Sequence, residues 1–318
     1  MESQLGDNRE TDPDHEHSCP ARAPARNWYQ SRQEVVRWRV AFTSRAWRSY
    51  AVTNGCNRGR EESLMAHALA GTVALVTGSS SGIGAATARR LATEGAAVAL
   101  VARRRDRLEQ LADSIVHSGG TADVVQADVT QQPQAAGAVR QAVDRFGRLD
   151  TVVNNAGVML LGPALQTTTD DWDRMVALNV QAVLYVTHAA LPHLVDAAGT
   201  SPRHVADIVN VSSTAGRVAR PGSSVYALTK FGVNAFSESL RQEMLAHRVR
   251  VSVVEPGTVD TELVDHVRAD VREAARQQLA GIEPLRPDDI ADSIAYIVTR
   301  DRRVAVNEML VRAADQTW

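Results

Sequence analysis

Lysine is almost missing from this chain. Of its 35 basic residues, 34 are arginine and one, Lys230, is lysine. A GC-rich genome drifts from lysine to arginine wherever a surface charge is all that is needed. The two side chains differ where chemistry matters, because arginine is a planar, permanently charged fork and lysine a compact ammonium on a flexible stem. A single lysine is therefore either an accident of position or a site that requires an ammonium. Cysteine is scarce as well. Cys19 and Cys56 are the only two, so the body of the chain beyond them has no disulfide framework and no thiolate metal site. We expect no bound metal. Aromatic residues make up 4%, and alanine and valine dominate the apolar share. Net charge is −2, so no global charge draws the chain to nucleic acid or to a membrane surface. No continuous apolar run reaches the roughly 18 residues of a membrane span. The first 64 residues lack the apolar core of a signal peptide. These absences leave a cytoplasmic protein as the expectation, with 318 residues to fill one large domain or two small ones.

The composition changes near residue 65. Before it, a polar, acidic opening gives way to an Arg-rich stretch from Arg22 to Arg60, with Trp28, Trp38 and Trp47 interleaved. Residues 1–64 read in three ways. They form a disordered tail, a basic amphipathic helix on a membrane surface, or a leader upstream of a true start at Met65. The third reading comes from Glu61-Glu62 just before Met65, whose codons can spell a ribosome-binding site. Residues 65–318 read as one domain.

From residue 70 the pattern alternates. Apolar strands TVALVT, AVALVA, ADVVQAD, DTVVNNAG, DIVNVSS, VRVSVVEPG and AVNEMLVR are separated by helical stretches, including long ones over 170–195 and 223–246. Continuous apolar strands alternating with helices predict an α/β fold, a Rossmann-type doubly wound parallel sheet of about seven strands with helices on both faces.

The first strand runs into Gly78-Ser79-Ser80-Ser81-Gly82-Ile83-Gly84 and then a helix. A Gly-rich turn there lets the backbone approach a pyrophosphate, and the helix N-terminus supplies free N–H groups. A glycine trio alone is a common turn; its place after the first strand of a repeating βα pattern makes it a cofactor loop. In such folds a carboxylate ending the second strand binds a ribose 2′-OH, and an arginine there accommodates a 2′-phosphate. This strand ends Ala102-Arg103-Arg104-Arg105. Arg103 therefore points to NADP(H) rather than NAD(H), unless the three arginines merely solvate the next helix, which Asp106 is expected to cap. Asp128 and Val129, ending the third strand, lie at the level of the adenine.

Tyr226 and Lys230 stand four apart in VYALTK and share a helix face. Reducing a carbonyl needs a proton donor at its oxygen, and a phenol with pKa near 10 is poorly poised for that. A fixed ammonium nearby favours the phenolate; a shift of about 3 units corresponds to about 4 kcal/mol. Ser213 ends the fifth strand, 13 residues before Tyr226.

The ordered set TGSSSGIG, Asn154-Asn155-Ala156-Gly157, Asn179, Ser213, Tyr226-Ala227-Leu228-Thr229-Lys230 and Pro256-Gly257 resembles the short-chain dehydrogenase/reductase family from about Leu69 to the C-terminus. The resemblance implies an oxidoreductase with Tyr226 as acid/base and Lys230 lowering its pKa and holding the nicotinamide ribose. It implies Ser213 on the substrate oxygen and Asn179 holding a relay water from a kinked helix. Asn155, with Ala156 and Gly157, falls near the adenosine side, and Pro256, Gly257 and Thr261 around the nicotinamide carboxamide. It also answers the lysine question, since an arginine is too large for the ribose site. Within the family, SSTAG and EPGTVDTEL are similar to NADP-dependent reductases of small 3-hydroxy acids and aldehydes. The implied substrate is a small alcohol, aldehyde, ketone or 3-hydroxy acid. Residues 258–285, with Met159, Leu160 and Leu161, are expected to form the substrate loop and pocket. Arg217 and Arg220 either meet a substrate carboxylate or are solvated. Helices 170–195 and 223–246 resemble the family's subunit contacts, which implies a homodimer or homotetramer. The competing functions are an idle NADP-binding partner or sensor, which has no chemical need for the Ser-Tyr-Lys set, and a membrane-surface protein, which needs residues 1–64.

Overall fold

The structure, a computed structural model, describes residues 68–267, 272–273 and 281–317. Residues 1–64 and much of the expected substrate loop lie outside the described residues. The elements run β1 (Val73–Thr77), α1 (Gly82–Thr93), β2 (Ala97–Ala102), α2 (Arg105–His117), β3 (Thr121–Gln126), α3 (Gln132–Phe146) and β4 (Thr151–Asn154). Then follow α4 (Thr169–Val176), a π-helical turn (Ala177–Gln181), α5 (Ala182–Thr200), β5 (Ala206–Val211), α6 (Ser224–Met244), β6 (Val249–Pro256), α7 (Pro287–Val298) and β7 (Glu308–Val311).

The seven strands form one sheet in the order β3-β2-β1-β4-β5-β6-β7, and every pairing is parallel. Parallel neighbours need a crossover, which the helices supply, covering both faces. That is why β1, β5 and β6 are buried along their whole length and are built mainly of Val, Ile, Leu and Ala, with Asp207, Asn210, Arg250, Ser252 and Glu255 as buried polar exceptions in β5 and β6. Two apolar clusters result, one around Leu91, Leu100, Leu108 and Ile294, the other around Leu75, Leu149, Leu194 and Ile208. Polar residues return at the edge strand β3, where Thr121 and Gln126 are exposed.

Three details depart from the sequence reading. The long helix expected over 170–195 is broken by the π-helical turn at Ala177–Gln181. The stretch Thr169–Thr200 also reaches a mean hydropathy of 1.3 in its most apolar window, enough by length and composition to cross a membrane. Its stripe of Ala182, Val186, Ala190 and Leu194 is buried in the cluster that also holds Ile208 of β5, so part of that hydropathy belongs to the core. Third, α7 was not anticipated. Pro287 stands in its first turn, and Asp289 accepts a hydrogen bond from the Arg286 N–H at 2.7 Å, the local chemistry that starts a helix.

The chain winds outward from β1 to β3, then returns to place β4 on the other side of β1. At such a reversal the loops above the two strands diverge and leave a crevice at their C-terminal ends.

Candidate active site

A cavity of about 620 Å³ fills that crevice. One end is lined by Gly78, Ser80, Ser81, Gly82, Ile83, Arg103, Arg104, Asp128 and Val129. The other is lined by Ser213, Tyr226, Lys230, Pro256, Gly257 and Thr261, with Asn155, Ala156 and Gly157 between. Ser79 is fully buried, with its N–H and hydroxyl on the Val101 carbonyl. It supports the loop from beneath.

The phosphate loop is held by close backbone contact. A Cβ on Gly84 would lie 2.4 Å from the Gly78 carbonyl oxygen, so no other residue fits. Gly78 itself has φ +67°, a left-handed conformation that glycine adopts without strain. Asn155 braces the loop by donating to the Thr77 and Gly78 carbonyls at 2.9 and 3.3 Å. The α1 cap residue Ser81 makes no side-chain cap bond, leaving the first N–H groups of α1 for an anion. These features fit a dinucleotide pyrophosphate.

At the end of β2, Arg103 lines the cavity, but it is Arg104 that reaches the loop. Its guanidinium donates to the Ser80 hydroxyl at 2.9 and 3.1 Å and to the Ser81 hydroxyl at 2.8 Å. Arg104 occupies the cap position of α2, and Asp106 sits in the first turn rather than capping it. The run of three arginines announced a guanidinium here, but sequence alone does not decide which of the three turns toward the loop. Asp128 accepts from the N–H and hydroxyl of Thr130, which fixes its carboxylate at the cavity wall.

At the reacting end, Tyr226 and Lys230 share the buried face of α6, as the four-residue spacing predicts. Ser213 follows β5, and its hydroxyl is hydrogen-bonded to the Tyr226 phenol. Burial pushes the phenol up to about 12, and the Ser213 bond offsets this only in part. Burial pushes the Lys230 ammonium down to about 8. Its nitrogen lies 5.7 Å from the Tyr226 ring centre and donates to the Val211 carbonyl at 2.9 Å. The expected lowering of the phenol pKa is therefore not produced by the protein's own groups. Desolvation outweighs the Ser213 bond, and Lys230 spends a hydrogen on a backbone carbonyl.

Asn179 does not line the cavity. It is buried in the π-helical turn, accepts from the Val158 N–H at 2.8 Å, and donates to the Val158 carbonyl and the Thr229 hydroxyl. Its amide ties the Gly157-Val158 loop to α6. The Arg217 expectation is corrected. Its guanidinium, exposed on one side, bridges Glu255 and Glu308, so it is engaged in ion pairs within the chain.

Two site residues escaped the sequence reading. Glu255 is fully buried, accepting from Arg217 and from Asn234 at 2.7 Å; the sign was a carboxylate inside the otherwise apolar VSVVEPG. Gln316 accepts from the Thr258 N–H at 3.0 Å and fills the space beside Gly257, where a Cβ would lie 2.1 Å from its carbonyl oxygen. Nothing local to Gln316 distinguishes it.

The short chain dehydrogenase family model matches residues 72–272. The chain belongs to the short-chain dehydrogenase/reductase family. It is 34% identical over 252 residues to an uncharacterized oxidoreductase of Staphylococcus saprophyticus, a match covering 77% of this chain and 97% of that one. Among solved structures it is similar to a metagenomic short-chain oxidoreductase in complex with NADP, at 33% identity and a TM-score of 0.65, covering 78% and 99% of the two chains. It is also similar to the closed form of serine dehydrogenase complexed with NADP+, at 29% identity and a TM-score of 0.70, covering 78% and 97%. Family membership makes this chain an NAD(P)-dependent oxidoreductase acting on a small molecule.

Proposed function

We propose that this short-chain dehydrogenase/reductase interconverts a small alcohol and its carbonyl, prefers NADP(H) to NAD(H), and uses Tyr226 as its acid/base. The observation that carries the reading is the convergence of Ser213, Tyr226 and Lys230 on one end of a cavity whose other end carries Arg103 and Arg104. The cofactor, when bound, supplies or accepts the hydride. The Gly78–Gly84 loop and the α1 N-terminus hold its pyrophosphate, Arg103 and Arg104 its 2′-phosphate, and Asp128 and Val129 its adenine. Asn155, Ala156 and Gly157 line the path between, Pro256, Gly257 and Thr261 receive the carboxamide, and Lys230 the nicotinamide ribose.

Ser213 orients the substrate oxygen by hydrogen bonding. Tyr226 gives its phenolic proton to that oxygen in reduction and takes it back in oxidation. The high phenol pKa keeps the proton in place until charge develops on the oxygen, and the Lys230 ammonium then stabilises the phenolate. The side chain of Asn179 is committed to Val158, so its backbone carbonyl in the π-helical turn is the group that would hold a relay water. Val158, Met159, Leu161, Ala215 and Val218 line the wall beside Tyr226, which suits a short apolar substrate and excludes bulk water.

The exposed Leu184 of α5 and Leu228 and Phe231 of α6 support association through these helices as a homodimer or homotetramer. Residues 65–318 act as one cytoplasmic domain. The test is a panel of aldehydes, ketones and 3-oxo acids with NADPH, followed by loss of its absorbance. Turnover of at least one class is expected. NADPH binding with no turnover across the panel would favour an idle NADP-binding partner.

A further inference from the structure

Beside the phosphate loop lies an ion-pair knot that the reading above does not use. Glu262 opens the 3-10 turn Glu262–His266, directly after Thr261. Its two oxygens meet two different arginines: Arg104 Nη1 at 2.9 Å and Arg107 Nη1 at 3.1 Å. The Arg104 hydrogen bond, with smaller help from Ser81 and Arg107, holds this carboxyl below the usual carboxylate range. The other two guanidinium nitrogens of Arg104 donate to Ser80 and Ser81. All three nitrogens of Arg104 are thus engaged before any ligand arrives.

An anion gripped by two guanidiniums beside serine hydroxyls, where β2 meets the phosphate loop, has the surroundings that a ribose 2′-phosphate requires. Here the chain supplies that anion itself. We propose that Glu262 is a cofactor-specificity residue, an internal anion that the 2′-phosphate must displace from Arg104, and that it sets how strongly the enzyme discriminates NADP(H) from NAD(H). This rests on the reading that the arginines after β2 receive the 2′-phosphate. NAD(H) carries no such phosphate and leaves the pair intact, so Glu262 weakens only the phosphorylated cofactor. Both side chains are about four-tenths exposed, 43% for Arg104 and 42% for Glu262. The effect is therefore that of giving up two partly screened ion pairs, roughly threefold to tenfold in affinity.

The experiment is calorimetric titration of wild type, Glu262→Gln and Arg104→Ala with NADP+, NAD+ and adenosine 2′-monophosphate. Glu262→Gln keeps the size of the side chain and removes its charge. It is expected to tighten NADP+ and adenosine 2′-monophosphate by about threefold to tenfold and to leave NAD+ within about twofold. Unchanged NADP+ binding overturns the proposal. So does equal tightening of NADP+ and NAD+, which would mean general electrostatics, and so does weaker binding of NADP+, which would make Glu262 a clasp over the cofactor. Arg104→Ala separates the two layers. If it weakens NADP+ while Glu262→Gln does nothing, the Glu262 inference falls and the phosphate reading stands. If it leaves NADP+ binding unchanged, the phosphate reading falls and takes the inference with it.

Discussion

The two ends of the sheet treat buried charge in opposite ways. At the N-terminal end, Asp207 accepts from Arg250 at 2.7 and 3.0 Å and from Arg203 at 2.8 Å. Asp150 accepts from Arg148 at 2.8 Å twice and from the Val73 N–H at 2.9 Å. Arg250 finishes on the carbonyls of Arg300, Asp301 and Val304. Each carboxylate there meets a guanidinium. At the C-terminal end, Lys230 is buried against a carbonyl instead of a carboxylate, and burial moves both it and Tyr226 from their ordinary pKa values. Buried charges that are matched in this way have nothing left to exchange and serve stability. Charges that are poorly matched are ready to be matched by something else, here the groups of a bound cofactor and substrate. The division is not absolute, since Glu255 at the C-terminal end is paired with Arg217. That pair holds the loop after Ser213 against β6 and leaves the reacting atoms to others.

The largest expected effect breaks the stable end. Asp207→Ala strands two guanidiniums whose side chains are 10% and 8% exposed. Removing one partner of such a cluster costs about 3–5 kcal/mol, which in a domain of this size lowers Tm by roughly 6–20 °C. Turnover per folded molecule should stay close to wild type, and a circular-dichroism melt beside an active-site titration reads both.

The next tests the reactive end. Lys230→Arg keeps the charge and changes its shape. The wider guanidinium displaces the nicotinamide ribose or Tyr226, and an error of about 1 Å is enough for a hundredfold loss. We expect kcat to fall at least about a hundredfold, about 2.7 kcal/mol, with Tm close to wild type. The same variant sharpens the pH comparison. On the proposed reading, reduction needs both the Tyr226 proton and the Lys230 charge. In wild type, kcat/KM for reduction should therefore hold level through neutral pH and fall as the ammonium titrates near pH 8. A guanidinium does not titrate in this range, so in Lys230→Arg that limb should move upward toward the phenol, whose own limb lies at about 12. Near wild-type turnover in the variant, or an unmoved limb, would contradict this role for Lys230.

The smallest effect lies at the far end of the cavity. Arg104→Ala should cut the preference for NADPH over NADH by about tenfold, about 1.4 kcal/mol. Arg103→Ala should cut it by less, about threefold, because Arg104 is the side chain that touches Ser80 and Ser81. Ratios of kcat/KM for the two cofactors measure both. The reverse ranking would return the phosphate role to Arg103.

Most of this was legible because the parallel sheet writes itself plainly. Strands buried on both faces are mostly apolar, and turns that must approach a ligand are glycine. Tyr226 and Lys230 were legible for the same local reason, four residues on one helix face. What was not legible depends on pairing across long separations. Arg104 and Glu262 are 158 residues apart, and nothing in either neighbourhood announces the other. The partnership of Gln316 with Thr258 is of the same kind. The desolvation that raises the Tyr226 pKa was not legible because spacing reports which groups are near, whereas desolvation depends on everything packed around them. The π-helical turn has no composition of its own and was visible only through the family resemblance to a kinked helix.

The position of β1 has a consequence for how the molecule is made. β1 sits between β2 and β4, so on a growing chain its two sides are closed at different times. β2 is complete at Ala102 and β4 at Asn154. At about 5–20 residues per second, synthesis of the intervening segment takes roughly 3–10 s. For that interval β1, apolar on both faces, presents a bare edge to whatever is nearby. The half-made chain is therefore the most adhesive form of this protein, and chaperone demand in the cell should peak before Asn154 emerges from the ribosome and decline after it.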